Sequence, residues 1–345
     1  MVPVFGTDSV PLMPCEEKRA RLLCERKQAF PFWKKGVFCI RLLKEPSARK
    51  YQEVVVGIDP GSKREGYTVA TERRVVMNLL TNTPGDVREK VETRRMMRRG
   101  RRFRKTPCRK NRENRARGGL PPSTKARWQA KLRILNFLAT LFRVTIVRVE
   151  DISARTKKGQ RKWNVSFSPL EVGKAWFYGE VGKRFTLKTN PGFDTHQHRT
   201  SRGFTKTSKK LSDTWEAHNV DSHCLCEMQV GDLKPVKVIH RVDFYAFRRR
   251  QLHLLVPAKG GLRRENGSTR SMGLKRGSLV KHPGYGVTYM GGTSAGRISL
   301  HSVDTGKRLT RSAQAQDVTF LTYTSWRTRL LPVPKGRVPA LEKKR

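Results

Sequence analysis

Three short apolar segments that follow one another along the chain largely decide what it can fold into. VVVGID at 54–59, GYTVAT at 66–71 and VVMNLL at 75–80 have the length and the β-branched content of strands. The last two are joined by residues 72–74, which predicts a hairpin. VTIVRVEDIS at 144–153 predicts a further strand after a helical segment, and this alternation favours a mixed α/β fold.

Helical patterns precede and follow these strands. A short helix is expected over about 16–28, with a strand at 37–43 after it. The helical segment before the fourth strand carries one apolar stripe, which we interpret as core: Trp128, Leu132, Leu135, Leu138 and Phe142. Further along we expect a linking helix over 168–185, a polar loop over 189–210 and a last helix over 211–228. After residue 233, short runs with frequent glycine predict a small β-barrel.

An excess of positive charge limits the partners of such a fold. The chain has 74 Lys and Arg against 28 Asp and Glu, a net charge of +46. Self-repulsion of this size requires a neutralising polyanion, and nucleic acid is favoured because each phosphate contact releases counterions. A membrane surface is the alternative, but no run approaches the ~18 apolar residues of a membrane span and no signal peptide is visible. We therefore expect a cytoplasmic, nucleic-acid-binding protein.

The basic residues are concentrated in one internal segment. From Pro84 onward the sequence is helix-permissive, and after Glu92 no acid occurs until Glu113. Five arginines recur at steps of three and four residues and so share a helical face: Arg94, Arg95, Arg98, Arg99 and Arg102. A solvated face or a disordered tail is the alternative interpretation. Because the segment lies between two apolar regions, we favour a long basic helix that lies across a nucleic-acid duplex.

The cysteines do not indicate a metal site. Six are present, none forms C-x-x-C, and no matching histidine pair follows them. The sequence therefore predicts no structural zinc site, and we interpret these residues as thiols in a reducing cytosol.

Acidic residues, rare in this chain, stand at the ends of the predicted strands. Asp59 ends the first, Glu150 ends a later one, and Asp221 lies on the last predicted helix, three residues after His218. Carboxylates gathered from separate elements repel one another unless cations lie between them, and an oxygen-only ligand set favours Mg²⁺ or Mn²⁺. Two such ions about 3.5–4 Å apart can activate water and stabilise the leaving oxygen of a phosphodiester. Gly57 and Gly61 are expected to leave room for a phosphate backbone.

Each of these residues also has a simpler interpretation. A carboxylate at a strand end is usually a cap or a surface charge, and His218 on a polar helix is often simply exposed. What favours a shared site is that the three acids lie on elements that a layout of three strands, a helix, a strand and a helix would bring together.

The acids and His218 lie in three short segments, GIDPGSK at 57–63, VEDI at 149–152 and HNVDSH at 218–223. These segments resemble the split motifs of a RuvC nuclease domain, which has an RNase H-like fold. PLMP at 11–14 resembles the N-terminal domain of the transposon-encoded IscB and IsrB proteins, relatives of single-chain CRISPR DNA nucleases. RRMMRRGRRFRK at 94–105 resembles their arginine-rich bridge helix, and VGKAWFY at 172–178 fits the same group.

The resemblance is closer to IsrB than to IscB. IscB carries an HNH nuclease between the second and third RuvC motifs, whereas here His196 and His198 are the two histidines between Glu150 and His218. A single nuclease centre implies a nick instead of a double-strand break. The third motif reads Asp-Ser where Asp-Ala is commoner in the family, and we expect the small Ser222 to be tolerated.

The resemblance implies a division of the chain and a set of functional residues. The implied parts are a PLMP domain (1–50), RuvC parts (51–83, 119–165 and 211–232), a bridge helix (84–118), a linker helix and loop without HNH (166–210) and a C-terminal β-rich domain (233–345). The implied catalytic and metal-binding residues are Asp59, Glu150, His218 and Asp221. The implied nucleic-acid contacts are Arg94, Arg95, Arg98, Arg99, Arg101, Arg102, Arg104, Lys105, Arg109, Arg112, Arg263, Arg264 and Lys275.

The implied activity is RNA-guided nicking of DNA. A structured guide RNA encoded near the gene would read the target by base pairing, and the protein would read a short target-adjacent motif and nick the non-target strand. The protein would be a monomeric ribonucleoprotein of the prokaryotic cytoplasm and nucleoid, with Mg²⁺ or Mn²⁺. Arg263, Arg264 and Lys275 are candidates for the motif, although each could contact phosphate alone. The alternatives are a guide-independent, structure-selective DNA nuclease and a non-catalytic RNA-binding protein.

Overall fold

The structure is a computed structural model that describes residues 1–85, 87–103, 120–154, 168–244, 270–324 and 326–331. Its helices are α1 (Glu17–Glu25), α2 (Val87–Phe103), α3 (Pro122–Ala139), α4 (Pro169–Gly182), α5 (Gly192–Ser201), α6 (Trp215–His218) and α7 (Val220–Val230). The strands up to the central sheet are β1 (Val4–Phe5), β2 (Ala29–Lys34), β3 (Val37–Leu42), β4 (Val54–Asp59), β5 (Arg64–Thr71), β6 (Val75–Asn82), β7 (Ile146–Asp151), β8 (Thr186–Pro191) and β9 (Ile239–Phe244). The remaining strands are β10 (Arg270–Ser271), β11 (Leu274–Lys275), β12 (Ser278–His282), β13 (Gly286–Ser294), β14 (Arg297–Ser302), β15 (Arg308–Ala313), β16 (Thr319–Tyr323) and β17 (Trp326–Leu330).

Two compact units are present. The described residues of Met1–Val242 and Arg329–Arg345 form the first, and those of Asp243–Thr328 form the second. The predicted C-terminal part began at residue 233, but β9 pairs in parallel with β6, which places residues 233–242 with the first unit.

A small sheet opens the first unit. β1 pairs in parallel with β3, and β2 pairs with β3 in an antiparallel hairpin. Val4, Ala20 and Ile40 are buried together and join α1 to this sheet. The predicted helix and the strand β3 are confirmed, whereas β2 was missed: its sequence AFPFWK contains a proline and shows no apolar–polar alternation.

The central sheet of the first unit runs in the order β9-β6-β5-β4-β7-β8. β4, β5 and β6 form an antiparallel meander, and β7 and β8 continue the sheet in parallel with β4. Within β4–β8, β5 is therefore the one strand that runs against the others. The predicted α/β fold is confirmed, and this strand order agrees with the RNase H-like expectation.

Side-chain alternation places a helix on each face of this sheet. A Cβ on Gly66 of β5 would point at the carbonyl of His218, the last residue of α6, so the neighbouring Glu65 points to the opposite face. There Glu65 forms a buried ion pair with Lys131 of α3. The apolar stripe predicted on α3 is buried at Leu135 and Leu138, which confirms its interpretation as core.

Two expectations near the site are wrong. The segment expected to be a polar loop over 189–210 contains the end of β8 and the ten-residue helix α5. The single helix expected over 211–228 is broken at Asn219 into α6 and α7. The buried Asn219 amide donates hydrogen bonds to the carbonyls of Tyr67 (3.0 Å) and Leu79 (3.3 Å), so the break fastens these helices to β5 and β6.

The second unit contains a five-stranded antiparallel sheet in the order β15-β14-β13-β12-β16. Val280, Met290, Ile298 and Leu300 form its buried core. Short strands joined by glycine turns, as predicted, build this unit, with β15 and β16 as the edges of the sheet in the part of the chain that the structure describes.

The basic segment is helical where it is described. α2 spans Val87–Phe103, and its residues from 91 to 99 are exposed. None of the described helices is both long and apolar enough for a membrane span.

Candidate metal centre

Two of the predicted acids lie side by side because their strands are neighbours. β4 and β7 are parallel, with Ile58 opposite Val149, so the next residues, Asp59 and Glu150, adjoin on one face. Asp59 is two residues after Gly57 and therefore points to the same face of β4. That face is the one covered by α7, since the Gly57 Cβ direction points at the Ser222 carbonyl.

The third acid comes from the first turn of α7. Asp221 precedes Ser222, whose carbonyl lies so close to β4 that a Cβ at Gly57 would be 2.0 Å from it. This corrects the role expected for the glycines: the space at Gly57 is filled by α7, and that at Gly61 by the Arg64 carbonyl, so neither is left for a phosphate. The Ser222 hydroxyl is buried and lies 2.8 Å from the Thr68 hydroxyl, which accommodates serine at this position.

The three acids converge on one point. One carboxylate oxygen each from Asp59, Glu150 and Asp221 lies within 4.8 Å of the others. The Asp221 side chain is 2% exposed and that of Asp59 13%. Three hard oxygen donors from two adjacent strands and a rigid helix fit a divalent cation such as Mg²⁺ or Mn²⁺. A buried acidic triad that could bind metal is therefore present.

Burial and mutual repulsion disfavour full ionisation of this group. Burial raises the pKa of Asp59, and the charge of Asp221 raises it further, against the opposing effect of Lys206. Burial, followed by the charge of Asp59, raises the pKa of Glu150 to about 8. Near neutral pH the metal-free triad therefore retains a proton between Glu150 and Asp59, and a bound cation would favour its release.

Because the folded metal-free triad retains this proton, the free energy of unfolding should depend on pH. Because the pKa of Glu150 rises from 4.5 to about 8 on folding, the folded state binds the extra proton, and the free energy of unfolding should fall as pH rises through that interval. Urea unfolding of the metal-free protein between pH 5 and 8 measures it. Glu150→Gln should flatten the slope, whereas Glu216→Gln, an acid outside the triad, should leave it. An equal slope in Glu150→Gln would refute the assignment.

The segment predicted to be a loop borders all three acids. Gly192, the first residue of α5, lies beside Glu150, since a Cβ added to this glycine would be 3.0 Å from the Glu150 Oε1 atom. Arg199 of α5 forms an ion pair with Asp221, and Lys206, just after α5, forms one with Asp221 and lies 3.5 Å from Asp59 Oδ2. No sequence signal identifies these two cations, because they are two among 74 Lys and Arg.

His218 lies close to this centre but is not one of the three converging groups. It ends α6 and is 7% exposed, and its Nε2 atom has no hydrogen-bond partner among the described residues. Burial lowers its pKa, and the charge of Asp59 opposes this effect. The expectation that His218 and Asp221 share one helical face rested on a continuous helix, which the break at Asn219 interrupts.

A second buried ion pair, which no sequence pattern predicts, lies on the opposite face of β5. Lys131 of α3 contacts Glu65, whose other carboxylate oxygen accepts a hydrogen bond from the Tyr67 hydroxyl at 2.9 Å. Burial lowers the pKa of Lys131 to about 7, although Asp59 opposes the shift. Lys131 also lies 5.0 Å from the ring centroid of Trp128. The pair joins α3 to the sheet behind the triad.

The predicted nucleic-acid residues are placed only in part. Five of them lie exposed on α2: Arg94, Arg95, Arg98, Arg99 and Arg102. Lys275 lies on β11, with its ammonium 5.4 Å from the ring centroid of Tyr323. Seven of the predictions lie outside the described residues or side chains: Arg101, Arg104, Lys105, Arg109, Arg112, Arg263 and Arg264.

Comparison with known proteins gives one family match. Residues 2–165 match the model of a family described as RRXRR protein. The matched region contains Asp59, Glu150 and α2, where the sequence reads Arg-Arg-Gly-Arg-Arg at 98–102, and it ends before Asp221. No curated protein matches the sequence.

Solved structures of RuvC-type resolvases are similar at low identity. Thermus thermophilus RuvC in complex with a Holliday junction substrate is 14% identical and covers 52% of this chain and 97% of its own, with a TM-score of 0.27. Another Thermus thermophilus RuvC structure is 16% identical over 53% of this chain and 99% of its own (TM-score 0.26). The yeast mitochondrial Holliday junction resolvase Ydc2 is 12% identical over 54% of this chain and 80% of its own (TM-score 0.27).

Proposed function

We propose that this chain is a divalent-metal-dependent DNA endonuclease that is guided by an RNA and nicks one strand of its target. The observation that carries the proposal is the convergence of Asp59, Glu150 and Asp221 within 4.8 Å on an α/β sheet whose strand order agrees with an RNase H-like fold. Buried acids that repel one another are costly for stability, and such groups are characteristic of functional sites.

In this proposal the three carboxylates would hold two divalent cations, either Mg²⁺ or Mn²⁺. When bound, such ions lower the pKa of a water and stabilise the leaving oxygen of a phosphodiester. The rigid arrangement of β4, β7 and α7 fixes the carboxylates before substrate arrives, so little reorganisation is needed during the reaction. His218, whose Nε2 atom has no hydrogen-bond partner in the described part of the chain, is our candidate for orienting the attacking water.

Support for RNA guidance comes from the basic helix α2. It places at least five exposed arginines, from Arg94 to Arg102, on a segment inserted between the first and second of the three RuvC parts, after β6 and before β7. Arginine forks bind phosphate oxygens bidentately, and a duplex held by its backbone is recognised without regard to its sequence. We infer that α2 binds the guide RNA and the RNA–DNA duplex, and that the protein acts as a monomeric ribonucleoprotein.

One nuclease centre supports a nick. Among the residues that the structure describes, Asp59, Glu150 and Asp221 are the one group of acids, histidines and cysteines close enough to share a metal ion. His196 and His198, the histidines between the second and third motifs, lie on α5, where His198 contacts Glu227 at 3.0 Å. Its Nε2 atom is thus engaged in a contact between α5 and α7. We propose that the non-target strand is cut next to a short target-adjacent motif.

The RNA that the protein carries tests guidance. The gene is expressed with its native flanking DNA, the protein is purified in high salt, and the bound RNA is sequenced. We expect one discrete, structured RNA that maps beside the gene. A heterogeneous mixture of host RNA would contradict guidance and would favour a nuclease that recognises branched DNA structure instead.

The arginines of α2 should dominate binding to that RNA. Replacing Arg98 and Arg99 by Gln should reduce the slope of log affinity against log salt by about one unit per arginine, because each phosphate contact releases counterions. Filter binding at several salt concentrations measures the slope. Lys18→Gln with Arg21→Gln, two exposed positions on α1, removes the same charge. An equal change in both double variants would show that the net charge, not α2, controls binding.

A further inference from the structure

Both carboxylate oxygens of Asp221 are engaged by cations of the chain itself. Arg199 contacts Oδ1 and Lys206 contacts Oδ2, and the Lys206 ammonium also lies 3.5 Å from Asp59 Oδ2. Lys206 therefore lies between two of the three acids that the proposed metal would bind. The opposite charges offset much of the repulsion that these buried carboxylates would otherwise experience.

The position of Lys206 is fixed by packing on both sides of it. Phe204 packs edge-on against Trp215 and His223, with ring centroids 5.8 Å and 5.4 Å apart. The backbone N–H of Thr207 donates to the Glu216 carbonyl at 3.1 Å. Because its neighbours in the chain are held by α6 and α7, Lys206 is directed to the acids by the fold and not by its ion pairs alone.

A second set of contacts holds the same segment from its other end. Arg202 forms ion pairs with the buried Glu227 (3.1 Å) and with Asp232 (2.7 Å), while His198 contacts Glu227. Glu227 lies on α7, the helix that also carries Asp221. The segment that presents Arg199 and Lys206 is thus fastened to the helix that presents their partner.

A divalent cation and the Lys206 ammonium would compete for the same oxygens. Two cations at contact distance from one carboxylate repel strongly in a site that water enters poorly, since the Coulomb energy rises as the effective dielectric constant falls. The Lys206 side chain is 33% exposed and has solvent beside it, whereas that of Arg199 is 15% exposed. Lys206 is therefore the cation that can leave with less loss of packing.

We propose that Lys206 is an internal counter-ion which occupies the cation position between Asp59 and Asp221 in the metal-free protein and is displaced when a divalent cation binds. This inference rests on the proposed function in that it needs the triad to be a metal site. Lys206 would then control the metal affinity, because a divalent cation must displace the Lys206 ammonium from the carboxylates before it can bind.

Removing the ammonium should strengthen metal binding while weakening the metal-free fold. In Lys206→Met the competitor is absent, and we expect Mn²⁺ to bind about tenfold more tightly, the effect of one partly buried ion pair. The thermal midpoint of the metal-free variant should fall, because the ammonium no longer offsets the repulsion among the three acids. The increase of that midpoint on Mn²⁺ addition should be larger in the variant than in the wild type.

The experiment is a Mn²⁺ titration of the full-length chain, in which electron paramagnetic resonance reports the free ion. Binding that persists in Asp59→Asn is subtracted, because it arises from bound RNA or from other surfaces. Lys209→Met, three residues further along at an exposed position, removes the same charge outside the triad and should bind as the wild type does. Lys206→Arg retains a cation and should bind no more tightly than the wild type.

The possible outcomes separate this inference from the proposed function. Tighter binding in Lys206→Met alone supports the exchange. If the wild type shows saturable, Asp59-dependent binding and Lys206→Met binds with equal or lower affinity, the counter-ion proposal is wrong and the metal centre stands. If neither chain shows Asp59-dependent binding, the metal centre itself is refuted, and the counter-ion role with it. Equal tightening in Lys209→Met would reduce the effect to net charge and would also overturn the proposal.

Discussion

Replacing Asp59 by Asn should reduce the rate of DNA nicking by about three orders of magnitude or more, because one of the three charged ligands of the metal centre is lost. The fold should not suffer. The pKa of Asp59 is raised by burial and by the nearby Asp221, so its charge is unfavourable in the metal-free protein. The thermal midpoint without metal is therefore expected to be equal to or above that of the wild type. Relaxation of a supercoiled plasmid and thermal unfolding measure the two effects.

Asp213→Asn is the matched control for this substitution. Asp213 lies in the same unit but does not belong to the triad. Like Asp221, it forms ion pairs with two basic side chains, Arg241 at 2.6 Å and Arg64. We expect that variant to nick at a rate within a few-fold of the wild type. Nicking by folded Asp59→Asn at a rate close to that of the wild type would show that the triad is not the reaction centre.

Replacing Gly57 by Ala should destabilise the protein by about 3 kcal/mol, at the upper end of the usual cost of overpacking. The new methyl would be 2.0 Å from the carbonyl oxygen of Ser222, a backbone atom of α7 that cannot rotate away. Gly66→Ala meets the His218 carbonyl at 1.8 Å and should act in the same way. Both methyls would push α6 and α7 from the sheet, so Asp221 would lose its position beside Asp59. Urea unfolding followed by circular dichroism measures the loss.

Gly179→Ala provides the comparison. Gly179 lies within α4, and no atom of the described structure beyond the backbone of its own helix is within 4 Å of its Cβ position. Alanine in a helix is favoured over glycine by up to about 1 kcal/mol, so this variant should be neutral or more stable. If Gly57→Ala and Gly179→Ala unfold at the same urea concentration, the close contact between β4 and α7 does not determine stability.

The central strands could be predicted from sequence because their signal is local. β4, β5 and β6 contain short segments rich in apolar and β-branched residues, with short connections between them, and each strand is buried over almost its whole length. The helix α3 was recognisable for the same reason, since its buried stripe repeats at helical spacing. β2 and β8 carry no such periodicity: apart from the buried Ala29, their residues alternate irregularly between partly exposed and exposed positions, and tertiary pairing decides their conformation.

The acids of the site could be predicted, whereas the cations around them could not. Asp59 and Glu150 stand out because few acids occur in this chain and they lie at the last and next-to-last positions of their strands. Lys206 and Arg199 have the residue types that are commonest here, in a segment whose helix α5 has a polar sequence, so no contrast marks them. Their role follows only from the three-dimensional contact with Asp221.

The break at Asn219 was missed for a related physical reason. The sequence from Trp215 to Val230 is helix-permissive, and local propensity favours one helix. The structure interrupts it because the Asn219 amide reaches carbonyls of β5 and β6, contacts between residues about 140 to 152 positions apart in the chain. Such a distant hydrogen bond leaves no periodic signature. The glycines at 57 and 66 carry the same long-range information, since each adjoins a helix encoded far downstream.

The DNA product of the purified ribonucleoprotein tests whether the protein is an RNA-guided nickase. Supercoiled plasmids that carry either a match or a mismatch to the guide portion of the bound RNA are incubated with Mg²⁺, and strand-specific primer extension maps the breaks. We expect open circles from the matched plasmid only, with one break in the non-target strand and none in Asp59→Asn. Linear product, or equal cleavage of matched and mismatched plasmids, would contradict it.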